Sequence, residues 1–145
     1  MNYKVRYAVL DPHLIFNYNA PTEGMIKTHN ARDGFYAQLE ASILKEGIRN
    51  PISVVSGFHQ QGNILERFPE HLRDSNILYC RDSGCSRLWV AQKNNIDIPC
   101  LIADGNDRFS DQILLNTKEE VLKFYADEPT YVKFASDRII IAKKR

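Results

Sequence analysis

The stretch from Ile77 to Asp104, ILYCRDSGCSRLWVAQKNNIDIPCLIAD, constrains the fold more than any other part of the chain. It reads as strand, tight turn, short helix, strand. Ile77 to Cys80 is a short apolar run holding a tyrosine and bounded by polar residues, which predicts a buried strand. Arg81-Asp82-Ser83-Gly84 carries turn chemistry, with Gly84 able to take a backbone angle that other residues resist. From Cys85 to Lys93, Leu88, Trp89, Ala91 and Gln92 fall at helical spacing, and Asn94-Asn95 ends the pattern. Ile96 to Ile102 is a second apolar run, which Pro99 marks as an edge strand or a strand start. Ser83 to Arg87 thus presents backbone N–H groups, a hydroxyl and a guanidinium at a helix N-terminus, where phosphate binds readily. The same residues also suit an ordinary strand-to-helix turn with a solvated arginine.

Upstream, Ala31 to Glu46 has Phe35, Leu39, Ser42/Ile43 and Leu44 at three- and four-residue spacing. That predicts a helix with Asn30 as N-cap, Asp33 in its first turn and Gly47 as C-cap. Asn50-Pro51 then biases the chain toward extended geometry and opens a strand, Ile52 to Val55. Tyr3 to Leu10 alternates, with Tyr3, Val5, Tyr7 and Val9 on one face, and predicts a half-buried strand that Asp11-Pro12 stops. His13 to Asn30 shows no period and reads as a loop, as does the polar insertion Ser56 to Asn76, where Asn63 to Phe68 could form a helical turn. Beyond a turn at Gly105-Asn106-Asp107, Phe109 to Leu115 and Lys118 to Tyr125 read as short helices, the second capped by Thr117. Tyr131 to Ile141 reads as a closing strand that could pair with Tyr3 to Leu10, followed by the basic tail Ala142 to Arg145.

At 145 residues the chain is long enough for one domain with a real core, and 43% hydrophobic with 26% charged residues is a globular balance. Nineteen basic and 18 acidic residues leave a net charge of +1, so no global charge draws it to nucleic acid. Three scattered cysteines give neither a disulfide framework nor a zinc spacing, and Cys80 and Cys85 with the four histidines set out no metal site. No signal-peptide pattern and no membrane-spanning apolar run is present in the sequence, which predicts a cytoplasmic protein without membrane contact.

Taken in order, the helix before Gly47, the Gly47-x-x-x-Pro51 strand opening, the Gly84-x-x-Arg87 turn and the Ile98-Pro99 strand resemble the N-terminal domain of the ParB/sulfiredoxin superfamily. The resemblance runs from near Arg32 to Asp104. It implies a single α/β (α+β) domain, a small mixed sheet flanked by helices, with a core over about 31–104 and a C-terminal extension over 105–145. It also implies a nucleotide site for ATP or CTP with Mg²⁺. There Gly84, Ser86, Arg87 and Ser83 would meet the phosphates, with Ser42, Asn50, Pro51 and Arg32 around them. Arg87 would neutralise transition-state charge, and a carboxylate such as Glu46 or Asp82 would assist a nucleophile or Mg²⁺.

The sequence departs from each branch of that superfamily. The lysine that the sulfiredoxin-like pattern carries seven residues before its phosphate-contacting hydroxyl falls on Phe35. The partition proteins' G-E-R-R box becomes Gly84-Cys85-Ser86-Arg87. Their E-N-x-Q-R segment and their helix-turn-helix pattern are absent from this sequence, which argues against a DNA-partition clamp. The sulfiredoxin turn G-C-H-R is matched except at Ser86, and a thiol beside a guanidinium at a helix N-terminus is a competent nucleophile. Four functions are therefore carried forward: a nucleotide phosphohydrolase or phosphotransferase, a ParB-like nuclease acting on DNA, a non-catalytic phage- or plasmid-type module binding a partner, and a sulfinate reductase using Cys85. The oligomeric state is not encoded in any pattern found.

Overall fold

A computed structural model describes residues 2–56, 78–80, 84–103, 113–126, 130–135 and 138–143. The expected α/β class is what it has: four α-helices and a mixed six-stranded sheet among the described residues. The strands are β1 Asn2–Leu10, β2 Phe16–Asn17, β3 Ile52–Ser56, β4 Leu78–Cys80, β5 Ile98–Ala103 and β6 Ile113–Thr117, in spatial order β2-β4-β3-β5-β1-β6. β3 and β5 run parallel, as do β2 and β4, and the remaining pairs are antiparallel. The helices are α1 Glu23–Arg32, α2 Phe35–Glu46, α3 Cys85–Asn94 and α4 Lys118–Phe124. A separate hairpin joins β7 Thr130–Ala135 to β8 Arg138–Lys143.

Register explains how one sheet feeds two cores. On one face Ala8, Leu10, Ile52, Val54, Leu78, Cys80, Ile98, Cys100 and Ile102 pack with Leu88 and Ala91 of α3. On the other, Val5, Leu101 and Leu115 pack with Val121 and with Tyr125 just beyond α4. Neighbouring residues of a strand point to opposite faces, so β5 supplies both clusters and is buried on both sides.

Several expectations need correction. β1 buries Val5 on one face and Ala8 and Leu10 on the other, while Val9, on the Val5 face, stays 57% exposed. Of the two positions expected for Pro99 the strand start holds, since it is the second residue of β5, but the strand is interior and not an edge. Pro99 pairs with Val9 on β1, whereas the β3 ladder begins one residue later at Ile52 opposite Cys100, so the missing N–H falls outside that parallel ladder. Of the helix expected over Phe109 to Leu115, residues 109–112 lie outside the described residues, and the described end is extended instead: Ile113–Thr117 forms β6, which adds to the outer side of β1 and buries Leu115. The closing strand does not reach β1, because β5 and β6 already occupy both of its edges. The C-terminal residues pair with each other as β7 and β8 instead.

The supposed loop from His13 to Asn30 contains a 3-10 turn at Pro12–Leu14, β2 and most of α1. Gln92 of α3 pins the turn by donating to the carbonyls of Pro12 and Ile15 at 3.1 and 2.9 Å. Thr22 caps α1, its Oγ1 accepting from Met25 N at 3.2 Å. A break at Asp33-Gly34, where Gly34 has φ 70°, separates α1 from α2. Asn30, the expected cap, accepts from Ala37 N at 3.0 Å from the preceding helix, while Asp33 Oδ1 accepts from Phe35 N at 3.0 Å. The 56–76 insertion apart from Ser56, the 105–107 turn and the last two residues of the basic tail lie outside the described residues.

Candidate anion site at the start of helix α3

Gly84 sits directly before α3 with φ 103°, in the left-handed region, and as N-cap residue it has no side chain with which to cap the helix. A Cβ built there would lie 2.2 Å from Ile52 Cγ2 and 2.4 Å from Ile52 Cβ. Only glycine lets the turn close this tightly over the first residue of β3. The first amides of α3 carry the positive end of the helix dipole and lack a side-chain acceptor from the cap residue.

Arg87, one turn into α3, reaches across to the connector between α2 and β3. Its Nη1 donates to the carbonyl of Asn50 and, at 3.2 Å, to that of Pro51. Nε and Nη2 take no part in these bonds, and no carboxylate among the described residues forms an ion pair with the guanidinium. Burial pulls the Arg87 pKa below its ordinary value. Asn50 is 8% exposed, and its carboxamide makes no hydrogen bond among the described residues, leaving Oδ1 buried and unsatisfied. Buried polar groups are normally paired, so the unsatisfied Asn50 Oδ1, on the residue whose carbonyl Arg87 holds, leaves room for a polar ligand.

Ser86 faces the helix partner: its Oγ is 3.5 Å from the Tyr36 hydroxyl of α2, and Tyr36 packs edge-on against Trp89 with centroids 5.5 Å apart. Its backbone amide still belongs to the first turn of α3. Cys85, the first residue of α3, turns its sulfur toward Cys80 at 3.8 Å and toward the Cys80 carbonyl at 3.7 Å. The Cys80 thiol is pushed well above its ordinary pKa, first by that contact with Cys85 and then by burial. Asn17 of β2 donates Nδ2 to the Cys85 carbonyl at 2.7 Å and so fixes the start of the helix from the other side.

The structure therefore gathers Gly84, Cys85, Ser86, Arg87, Asn50 and Pro51. The other sequence-derived candidates are engaged elsewhere. Arg32 donates to His29 Nδ1 at 2.8 Å and meets Asp33 at 3.4 Å on the exposed end of α1. Glu46 pairs with Arg49 at 3.2 Å, both well exposed, and Ser42 is exposed on α2. Ser83 and Asp82 lie outside the described residues. Asn17, Tyr36 and Cys80 were missing from the candidate set. The five-residue spacing of Cys80 and Cys85 is a signal for that pair in the sequence. No grouping of three or more His, Cys, Asp or Glu that could hold a metal ion occurs among the described residues, and no described helix is long and apolar enough to cross a membrane.

No family model, curated protein or solved structure matches this chain, so the functional reading rests on the site itself.

Proposed function

We propose that this chain is a nucleotide-binding protein of the ParB-like type that holds the phosphates of ATP or CTP at the Gly84–Arg87 turn. The observation that carries the reading is the partly buried Arg87 guanidinium, which has two backbone carbonyls for partners and no carboxylate among the described residues. A phosphate oxygen would supply the missing negative charge, and the amides of Cys85, Ser86 and Arg87 would receive it at the dipole end of α3. The chemistry a bound triphosphate brings is phosphoryl transfer. This chain's part is to position it and to offset charge on its oxygens. Asn50 adds a buried carboxamide able to donate to or accept from the ligand. Glu46 supports the hydrolytic half of the reading less, since its carboxylate is taken by Arg49. A reducing cytoplasm, where nucleoside triphosphates are abundant, fits three unbridged thiols.

The test is thermal unfolding with millimolar ATP, CTP, GTP or ADP, each with and without Mg²⁺. Ligand bound only to the folded chain at a hundredfold excess over Kd adds about 2.7 kcal/mol, a shift easily seen. The expected result is a shift with ATP or CTP that falls away in Arg87→Lys, which keeps a charge but loses the planar fork. Asn50→Ala should lose the shift with little change in unliganded stability, because no side-chain bond is removed. No shift with any nucleotide would sink the reading and leave the non-catalytic module or a DNA-directed nuclease. A second reading, sulfinate reduction, rests on Cys85 standing at the first position of α3 near Arg87. It requires an activity that Cys85→Ser alone abolishes.

A further inference from the structure

Cys80 closes β4 and Cys85 opens α3, and neither is bridged. Their sulfur atoms lie 3.8 Å apart. A disulfide bond is about 2.05 Å long, so an approach of roughly 1.8 Å would join them. The two thiols differ in access: Cys80 is 0% exposed, whereas Cys85 is only partly buried. Such a pair has an outer sulfur that meets a reagent and an inner one that resolves the product. We propose that Cys80 and Cys85 form a redox-active dithiol whose oxidant is a low-molecular-weight disulfide of the oxidised-glutathione class.

The exchange balances in two steps. The Cys85 thiol loses its proton, and its sulfur attacks one sulfur of the small disulfide. A mixed disulfide forms and one small thiolate leaves, taking up a proton. The Cys80 sulfur then attacks Cys85 Sγ as its own proton departs. The internal disulfide forms, the bond to the small molecule breaks, and the second small thiolate is protonated on leaving. Two protein thiols are oxidised and one external disulfide is reduced to two thiols. The hydrogen bond between the two sulfurs and the burial of Cys80 keep the inner thiol protonated until the second step, which assigns the first attack to Cys85.

Closing the bond would also act on the proposed anion site, and this part of the inference rests on the nucleotide reading above. Cys85 is the first residue of α3, its carbonyl is held by Asn17 at 2.7 Å, and Gly84 beside it has no clearance against Ile52. Drawing Cys85 toward β4 would therefore act on the first amides of α3. The oxidised chain should bind nucleotide more weakly, by about tenfold or more.

The experiment exposes the full chain to a series of oxidised-to-reduced glutathione ratios, blocks remaining thiols with an alkylating agent, and reads intact mass. Wild type and Cys100→Ser should lose two alkylation sites and the mass of two hydrogen atoms, with no adduct. Cys80→Ser should stop at a glutathionyl adduct on Cys85, and Cys85→Ser should keep its thiols. A persistent adduct in wild type, three alkylated thiols at every ratio, or a bridge that survives in Cys85→Ser would overturn the dithiol. Nucleotide thermal shifts on the reduced and oxidised samples test the coupling. An internal disulfide with an unchanged shift would overturn the coupling alone. Absence of any shift in the reduced chain would instead overturn the nucleotide reading, with the mass result still deciding the dithiol.

Discussion

At Gly84 and Gly47 two glycines with positive φ stand in different surroundings, and the contrast separates backbone strain from packing. Gly47 has φ 77° and nothing within 4 Å of an added Cβ, whereas at Gly84 that atom would meet Ile52 at 2.2 Å. Ile52 is fully buried in the main core, so its branched side chain cannot swing clear. Gly47→Ala should cost only backbone strain, about 1–3 kcal/mol, because with ψ −177° it occupies an extended positive-φ region that is essentially glycine's own. Gly84→Ala adds overpacking of roughly 1–3 kcal/mol to it, for a total of about 3 kcal/mol or more. Urea unfolding of the two variants measures the difference, with the midpoint moving and the slope constant. Equal midpoints would mean that the turn does not close on Ile52. How much of the site could be read from the sequence follows the same line. Gly84, Arg87 and Asn50-Pro51 were legible because a turn glycine, a helix-start arginine and a proline each announce a local backbone state. That Arg87 spends one nitrogen on the carbonyls of Asn50 and Pro51, and that Asn17 grips the Cys85 carbonyl, depends on contacts between segments distant in sequence, which no local pattern encodes.

Helix α3 is tied to α2 by a small polar cluster as well as by the Tyr36–Trp89 contact. Glu40 accepts from Asn94 Nδ2 at 2.8 Å and from Lys93 Nζ at 3.0 Å, while the same Asn94 Nδ2 donates to the Val90 carbonyl at 2.9 Å. The Asn94 hydrogen bond, and after it Lys93, hold the Glu40 carboxyl below its ordinary pKa. A depressed carboxyl stabilises the fold at pH values above its unfolded pKa, and that contribution disappears as pH falls through the folded value. Because Lys93 is largely exposed, the pair is worth at most about 1 kcal/mol at neutral pH. Glu40→Gln should therefore be slightly less stable than wild type at pH 7 and converge with it in acid, as denaturant midpoints across pH would reveal. An unchanged gap at every pH would show that the carboxylate does not couple the helices. The elements that sequence patterns found were those with a one-sided apolar period: α2, α3 and α4, and the runs that became β1, β3, β4 and β5. α1 was missed because none of its residues is buried, so it carries no apolar stripe to detect. β6 was missed for a related reason, since Ile113–Thr117 is a short segment whose extended state is set by the ladder it forms with β1.

Across the molecule, stability should be graded outward from β5. This strand pairs with β3 on one side and β1 on the other, and it contributes Ile98, Cys100 and Ile102 to one core and Leu101 to the other. Breaking its hydrogen bonds therefore requires separating both cores and both neighbouring strands at once, an event close to global unfolding. At the other extreme, α1 buries none of its residues, and what holds it is its own backbone ladder, the Thr22 cap and contacts with α2. A ten-residue helix with so little packing is marginal by itself. Native-state amide exchange should consequently find Cys100, Leu101 and Ile102 opening only with the whole fold, and the α1 amides exchanging orders of magnitude faster. The first turn of α3 should fall between them, anchored by Gly84 on β3 and by Arg87 on the connector but without a side-chain cap from Gly84. Nucleotide would then slow exchange at Cys85, Ser86 and Arg87 more than at β5, since its phosphates would add bonds at the first turn of α3. If β5 exchanged ahead of global unfolding, the two cores would be separable units and the register that places Ile52 beneath Gly84 would not be shared by the whole sheet. If α1 proved as protected as β5, its exposed surface would have to be covered in solution, and the helix would belong to an interface.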